Sequence, residues 1–434
     1  MTLELPHLDT LAKQASVSWT RWQDLVRVDL DAAKRTDPFT ATRLVTGQSL
    51  LLDLRAHKAS PGETGLLDGL TRWAYALLQA RLSIPFVLEA RTLNEAPSLV
   101  PAFAESLAWR GLWRAALLEP VPRAAEYVKT IDGISAAMTG VEKRALEVRM
   151  EASRRLGYAH PDEPLLLDGA TADFARAIVT GTVDCAKDIV RLESDAASAA
   201  ATYARRELCR DATEGWPARL SGHWFDDVFA GLGGAVRRMP APRSPAIWGA
   251  MSFARSLATL GLALRSHYLL LSKLPFAERA HPRNVEGQTF ATTFAFLLLS
   301  PAFHHRALGL GRDAARDQAR RCAGSLLLAS RRALACTAVR AGDWAADDAA
   351  HVTYNGADPS CLMRALLSRT PQVWAIAEGI AFTQLMVNRF DEDWFRNPRA
   401  HQFLIDRAGA PAFATDRTAM LSAVQCGQWF ESRV

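Results

Sequence analysis

The chain has 434 residues, of which 49% are hydrophobic and 22% are charged. This composition supplies enough apolar surface for a sizeable core and excludes a disordered or fibrous protein. The net charge of +5 comes from basic residues scattered along the chain, not from a basic tract. Nucleic-acid binding is therefore not expected.

The location that the sequence suggests is the cytoplasm. The first ten residues lack the basic and apolar regions of a signal peptide. The most apolar stretches, Leu257–Leu271 and Phe294–Phe303, are too short to cross a membrane, so no membrane span is expected. The six cysteines lie far apart, without the spacing of a metal site or a redox motif, which is typical of reduced thiols in a cytoplasm.

Hydrophobic periodicity predicts an all-α fold. Apolar and small residues recur every three or four positions from Phe174 to Tyr203, which predicts one long amphipathic helix. Helix breaks are expected at prolines such as Pro85 and Pro97. Similar helical runs cover residues 67–82, 124–156, 253–271, 313–339 and 371–390.

One stretch departs from the helical pattern. Residues 216–248 contain several glycines and four prolines between short apolar runs, which is typical of loops and of a small β-hairpin. For the domain organisation we expect an N-terminal helical region over residues 1–150 and a C-terminal helical region over residues 151–434.

The chain contains no intact zinc-peptidase, dinucleotide-binding, P-loop or serine-hydrolase motif. However, the helical run ATLGLALR, which ends at Arg265, resembles the HELGHALH segment of the thimet oligopeptidase and oligoendopeptidase F family of zinc peptidases. In that segment two histidines four residues apart bind zinc, and the glutamate is the general base. Ala258, Thr259 and Leu262 occupy these three positions here, and none of them binds zinc or accepts a proton.

Two later segments resemble the same family in the same order. Glu286 lies 24 residues after Leu262, within the segment VEGQTF. This segment is similar to the one from which the family takes its third zinc ligand, a glutamate. Further on, residues 390–400 resemble the family's closing turn and helix, so that the whole resemblance covers residues 215–410.

Between these two segments, residues 373–381 resemble the family's tyrosine-bearing segment. In the family, the tyrosine hydroxyls contact the substrate and the tetrahedral intermediate. Trp374 and Ile376 stand at tyrosine positions in this chain. The resemblance therefore implies that these reactive groups are missing as well.

The resemblance implies a large all-α, peptidase-like fold with a deep cleft, and no metal, cofactor or catalytic residue. It implies a catalytically inactive pseudopeptidase that binds a peptide or a protein partner in or near that cleft. Because a buried unpaired carboxylate is costly, Glu286 is expected to form an ion pair with Arg265 or Arg283. The residues expected to line the vestigial cleft are Ala258, Thr259, Leu262, Arg265, Glu286 and Trp374.

Two other functions stay open at this point. One is an enzyme that reuses the cavity for different chemistry, with Glu286, His267 or His281 as acid and base. The other is a purely structural subunit. A rebuilt metal site from these residues and Glu278 is not expected, because their spacing matches no known ligand pattern. The sequence predicts no oligomeric state.

Overall fold

The computed structural model confirms the all-α fold: the described chain is helical apart from one two-stranded antiparallel sheet. The residues described are 4–60, 62–161, 163–165, 169–190, 198, 202, 205, 216, 222–239, 249–282, 285–340, 344–353, 373–410 and 421–434.

The elements are numbered here in chain order. The α-helices are α1 (Leu5–Val28), α2 (Leu30–Lys34), α3 (Gln48–Ala56), α4 (Thr64–Glu95), α5 (Trp109–Leu118), α6 (Val121–Arg155), α7 (Gly169–Gly181), α8 (Val183–Ile189), α9 (Gly222–Val228), α10 (Gly233–Arg238), α11 (Ala250–Leu271), α12 (Phe276–Arg279), α13 (Val285–Ala295), α14 (Pro301–Arg306), α15 (Arg312–Arg340), α16 (Ala346–Thr353), α17 (Val373–Phe390), α18 (Pro398–Gly409) and α19 (Ala423–Glu431). The strands are β1 (Ser98–Val100) and β2 (Glu105–Leu107), and short 3-10 helices cover Thr40–Thr46, Glu163–Leu165, Ala230–Leu232, Phe296–Leu299 and Trp394–Arg396.

The helices form two compact units, each with its own core. The first unit comprises Met1–Leu112, Thr130–Asp168 and Lys273–Asn284, and the second comprises Trp113–Lys129, Gly169–Ser272 and Val285–Val434.

The first unit is built around α4. Leu70 and Leu77 of this helix are buried together with apolar residues of α1 and α3. The helix ends two residues before Pro97, as expected, but it continues through Pro85, so the break expected at Pro85 is wrong. Pro85 is exposed, and water can therefore hydrate the carbonyl group that loses its amide partner there.

In the second unit, the long helix expected from Phe174 to Tyr203 is broken at Thr182, between α7 and α8. The fully buried Arg331 of α15 donates to the carbonyl oxygen of Val179 and, at 2.6 Å, to Oγ1 of Thr182. A buried guanidinium group thus satisfies the last turn of α7, which apolar spacing alone cannot reveal. Beyond Val190, nearly all of the expected helix lies outside the described residues.

The small β-hairpin does not lie where the sequence suggested. β1 pairs with β2, with Ser98 opposite Leu107, whereas the described part of residues 216–248 is mostly helical. The expected hairpin is therefore wrong for residues 222–239, while residues 217–221 and 240–248 lie outside the described residues. A Cβ atom on Gly234 would lie 2.6 Å from Nε2 of His267, so this glycine allows α10 to pack closely on α11. Its role is close packing and not a turn.

Among the described helices, α15 is the one that is long and apolar enough to cross a membrane. Over its span Arg312–Val339, 72% of the most apolar window is buried inside the protein. Such burial is typical of a core helix in a globular protein. In this chain α15 packs against α7, α14 and α16 within the second unit.

Candidate functional site

Two close helix crossings bring together three of the segments that resemble the peptidase family. α13 packs against both α11 and α17. A Cβ atom on Gly261 of α11 would lie 2.5 Å from the carbonyl oxygen of Phe290, and one on Gly379 of α17 would lie 2.6 Å from Cγ2 of Thr292. These distances are far below van der Waals contact, so glycine is required at both positions.

The fourth resembling segment joins the group through α18. This helix begins at Pro398, with Asn397 as its N-cap. Arg265 of α11 is fully buried, and its Nη1 donates to the carbonyl oxygens of Ala408 at 2.7 Å and Ala410 at 2.6 Å. A cation at this position satisfies terminal carbonyl groups and matches the helix dipole. Over the described residues, Nε and Nη2 of Arg265 have no hydrogen-bond partner.

Charged side chains interact electrostatically where α11, α13, α17 and α18 meet. Arg265 lies one turn after Gly261 along α11, and Glu286 lies one turn before Phe290 along α13. Burial lowers the pKa of Arg265, and the attraction of Glu286, which is 6% exposed, opposes that shift. The charged cluster, as we call it below, consists of Arg265, Glu286, Glu378 and Arg407.

Glu378 of α17 and Arg407 of α18 are the two members of the charged cluster that the sequence analysis does not single out. Oε2 of Glu378 accepts a hydrogen bond of 2.6 Å from Oγ1 of Thr289. Burial raises the pKa of Glu378, and the carboxylate of Glu286 adds to this shift, while Thr289 and the positive charge of Arg407 oppose it. The signal that points to Glu378 is a single charge inside the otherwise apolar helical run AIAEGIAF.

The three positions that correspond to the zinc-binding segment all lie on α11. Ala258, Thr259 and Leu262 are half-buried. Ala258, Leu262 and Arg265 follow at intervals of four and three residues, so they share one face of the helix. The hydroxyl group of Thr259 donates to the carbonyl oxygen of Arg255 at 2.8 Å, within the helix itself.

The structure describes the remaining expected cleft residues only in part. Trp374 lies in the first turn of α17, and its side chain is outside the described part. Arg283, one of the two arginines considered as a counter-charge for Glu286, also lies outside the described residues. The other, Arg265, interacts electrostatically with Glu286, although the two side chains form no contact within ion-pair distance in the described structure.

His267 does not join the charged cluster. Its ring lies against Gly234 of α10, and burial together with the positive charge of Arg238 lowers the pKa of the imidazole. Because His267 follows Arg265 by two residues, it points about 200° away around α11. The structure therefore separates His267 from Glu286.

The other two titratable candidates, His281 and Glu278, belong to the first unit, whereas Glu286 belongs to the second. Over the described residues, no group of three or more histidine, cysteine, aspartate or glutamate side chains is arranged to hold a metal ion. Within the second unit, the structure gives no support to an acid–base pair of Glu286 and His267.

The charged cluster offers carboxylate and guanidinium groups but no imidazole and no thiolate. Such a set can pair with charged or polar groups of a ligand, and burial raises the pKa of Glu378, so this carboxyl group holds a proton more readily than an ordinary glutamate. Comparison of the chain with protein-family models, with curated proteins and with solved structures gave no match.

Proposed function

We propose that this chain is a pseudopeptidase: a metal-free, cytoplasmic relative of the thimet oligopeptidase type that binds a peptide or a protein partner without cleaving it. The observation that carries the proposal is the crossing of α11 and α13 at Gly261. This crossing sets the segment with Ala258 and Leu262 against the segment with Glu286, as the resemblance requires.

The packing of the other two segments also supports the proposal. α17 contacts α13 through Gly379, and α18 contacts both α11 and α17. Segments that lie far apart in the sequence, but that resemble one family in its order, thus form one group of helices. If the similarity of these four segments to one family were due to chance, there would be no reason for all four to pack together.

The residues present do not fit a zinc ion. The side chains of Ala258 and Leu262 have no lone pair, and the hydroxyl of Thr259 is hydrogen-bonded to Arg255 and is not a base at neutral pH. Glu286 supplies one carboxylate, whereas catalytic zinc sites use three protein ligands. Peptide hydrolysis by the family's chemistry therefore has neither a metal-bound water nor a general base here.

A binding role agrees with the character of the charged cluster. Arg407 is exposed and Glu378 is half-buried, so side chains of both signs of charge reach the protein surface, while Arg265 stays inside the protein. A peptide carries positive, negative and amide groups at short spacing and is able to pair with both. A ligand can bind Arg407 and Glu378 while Arg265 keeps its hydrogen bonds to the carbonyl groups at the end of α18.

The first experiment tests activity and binding together. Untagged protein is expected to contain no stoichiometric zinc and to leave a quenched fluorescent peptide library intact. Fluorescence anisotropy with labelled peptide pools is expected to show binding that Arg407→Gln weakens. Arg399→Gln, an exposed arginine at the other end of α18, is the matched control and is expected to bind normally. Chelator-sensitive hydrolysis, or one zinc ion per chain, would contradict the proposal.

A second experiment tests the geometry. The triple variant Ala258→His, Thr259→Glu and Leu262→His adds two imidazole groups on one helix face beside Glu286 and is expected to bind zinc. Adding Glu286→Gln is expected to weaken this zinc binding by at least about tenfold. If the folded triple variant takes up no zinc, or binds it equally well without the Glu286 carboxylate, the family relationship is wrong.

Two alternatives each have one supporting observation. The hydrogen bonds of Arg265 to the end of α18 favour a structural subunit, because they account for this buried charge without a ligand. The raised pKa of Glu378 beside Glu286 favours an enzyme with a carboxylate acid. The structural alternative predicts no binding by any peptide pool, and the enzyme alternative predicts turnover that Glu378→Gln abolishes.

A further inference from the structure

Two neighbouring cavities lie in the second unit, about one and a half to three turns along α17 from Glu378 of the charged cluster. One, of about 530 Å³, lies between α17 and α19. The other, of about 390 Å³, also reaches α15 and the 3-10 helix Phe296–Leu299. Both volumes are within the range of sites for small organic ligands. The two cavities share the wall residues Thr383, Val387, Trp429, Ser432 and Arg433.

The smaller cavity combines an apolar floor with an excess of positive charge. The rings of Phe296 and Trp429 lie 5.0 Å apart, and the buried Trp394 also lines it. Its charged lining consists of three arginines and one glutamate, namely Arg316, Arg320, Arg433 and Glu392.

Arg433 is held in place between the two cavities. Its guanidinium group stacks 4.3 Å above the ring of Trp429, and its Nη1 donates to the carbonyl oxygen of Trp429 at 3.1 Å and to Oγ of Ser432 at 3.0 Å. Over the described residues, its other two nitrogens form no hydrogen bond. Burial lowers the pKa of Arg433, and Glu392 opposes this shift. A fixed, incompletely paired guanidinium group is a good partner for a carboxylate or sulfonate.

We propose that these cavities bind a small organic anion with an apolar body. The acidic head group pairs with Arg433, and the apolar body lies on the rings of Trp429 and Phe296. An anion is favoured because the lining carries more guanidinium groups than carboxylates. The site is independent of the proposed pseudopeptidase function, since it contains none of the residues of the charged cluster.

The experiment uses the full chain and the fluorescent aromatic sulfonate 1-anilinonaphthalene-8-sulfonate as the probe. The probe is expected to bind, octanoate is expected to displace it, and octan-1-ol at the same concentration is not. Arg433→Met is expected to weaken binding by about tenfold, as loss of one charge-assisted hydrogen bond predicts. The matched control is Arg389→Met, because Arg389 also stacks on an aromatic ring, 4.7 Å from the centre of Phe403, but lines neither cavity.

Equal weakening by Arg433→Met and Arg389→Met, or equal displacement by octanoate and octan-1-ol, would overturn the proposal. Folding of each variant is checked by circular dichroism and thermal unfolding. If Arg433→Met does not fold, Arg320→Met decides the matter, since Arg320 is exposed on α15 and its loss leaves the core intact. This variant is expected to weaken probe binding about two- to fivefold, and unchanged binding would contradict the proposed anion site.

Discussion

Each unit contains a helix crossing that only glycine allows, but the two crossings differ in their charges. In the first unit, a Cβ atom on Gly69 of α4 would overlap the carbonyl oxygen of Ala277 in α12. In the second unit, Gly261 makes the corresponding close approach of α11 to α13, at 2.5 Å from the carbonyl oxygen of Phe290. The close approach by itself is therefore a packing device that the fold uses more than once.

Hydrogen bonds between neutral donors and well-placed acceptors hold the first crossing. The carboxylate of Asp9 accepts hydrogen bonds from the amide groups of Phe276 at 2.9 Å and Ala277 at 2.7 Å. Nε1 of Trp73 donates to the carbonyl oxygen of Ala280 at 2.7 Å. At the second crossing, by contrast, two nitrogens of Arg265 have no partner in the described part of the chain, and two carboxylates repel each other. Buried charged groups with incomplete pairing over the described residues, and not close packing, distinguish the second crossing as a candidate site.

The largest expected effect comes from removing the buried cation. Arg265→Met leaves the carbonyl groups at the end of α18 without donors and Glu286 without its positive neighbour, and is expected to cost about 3 kcal/mol or more of unfolding free energy. The matched change in the first unit, Trp73→Phe, removes one hydrogen bond between neutral groups, to Ala280, and is expected to cost about 1 kcal/mol. Urea unfolding measures both. A neutral or stabilising Arg265→Met would mean that the desolvation penalty of the guanidinium group exceeds its contacts.

The next effect comes from the glycines. Gly261→Ala and Gly69→Ala each force a methyl group against a backbone carbonyl and are expected to cost about 1–3 kcal/mol. The two variants are expected to differ in coupling: Gly261→Ala moves α11 away from α13, so its cost is expected to fall when Arg265 is already methionine. Thermal unfolding of the two single variants and the double variant gives the coupling free energy in a double-mutant cycle. Strict additivity of Gly261→Ala and Arg265→Met would mean that the crossing does not position the charges.

Helical periodicity predicted the all-α fold because burial of one apolar face decides which stretches form helices. It could not locate the hairpin, because the sequence does not distinguish a glycine that forms a turn from one that allows close helix packing. Gly234 is of the second kind. It also could not show that Arg265 binds backbone carbonyl groups of α18, since these have no sequence signature. Glu378 was missed for a related reason: its hydrogen-bond partner, Thr289, lies 89 residues away in the chain.

The smallest expected effect tests the carboxylate repulsion. Burial and Glu286 hold the folded-state pKa of Glu378 above its ordinary value, despite Thr289 and Arg407, so ionisation of Glu378 favours the unfolded chain. The stability linked to its protonated form is fully present below the ordinary pKa and is lost as the pH rises through the raised one. Glu378→Gln is therefore expected to stabilise the protein at pH 8 by less than about 1 kcal/mol, with no gain at pH 4.

The gain from Glu378→Gln is also expected to shrink in a Glu286→Gln background, because part of the repulsion is already gone there. Urea unfolding at pH 4 and pH 8 measures both effects on the same four proteins. Destabilisation at pH 8 would mean that the hydrogen bond from Thr289 and the attraction of Arg407 together outweigh burial and repulsion. The second crossing would then be as well balanced as the first, and the charge contrast between the two units would disappear.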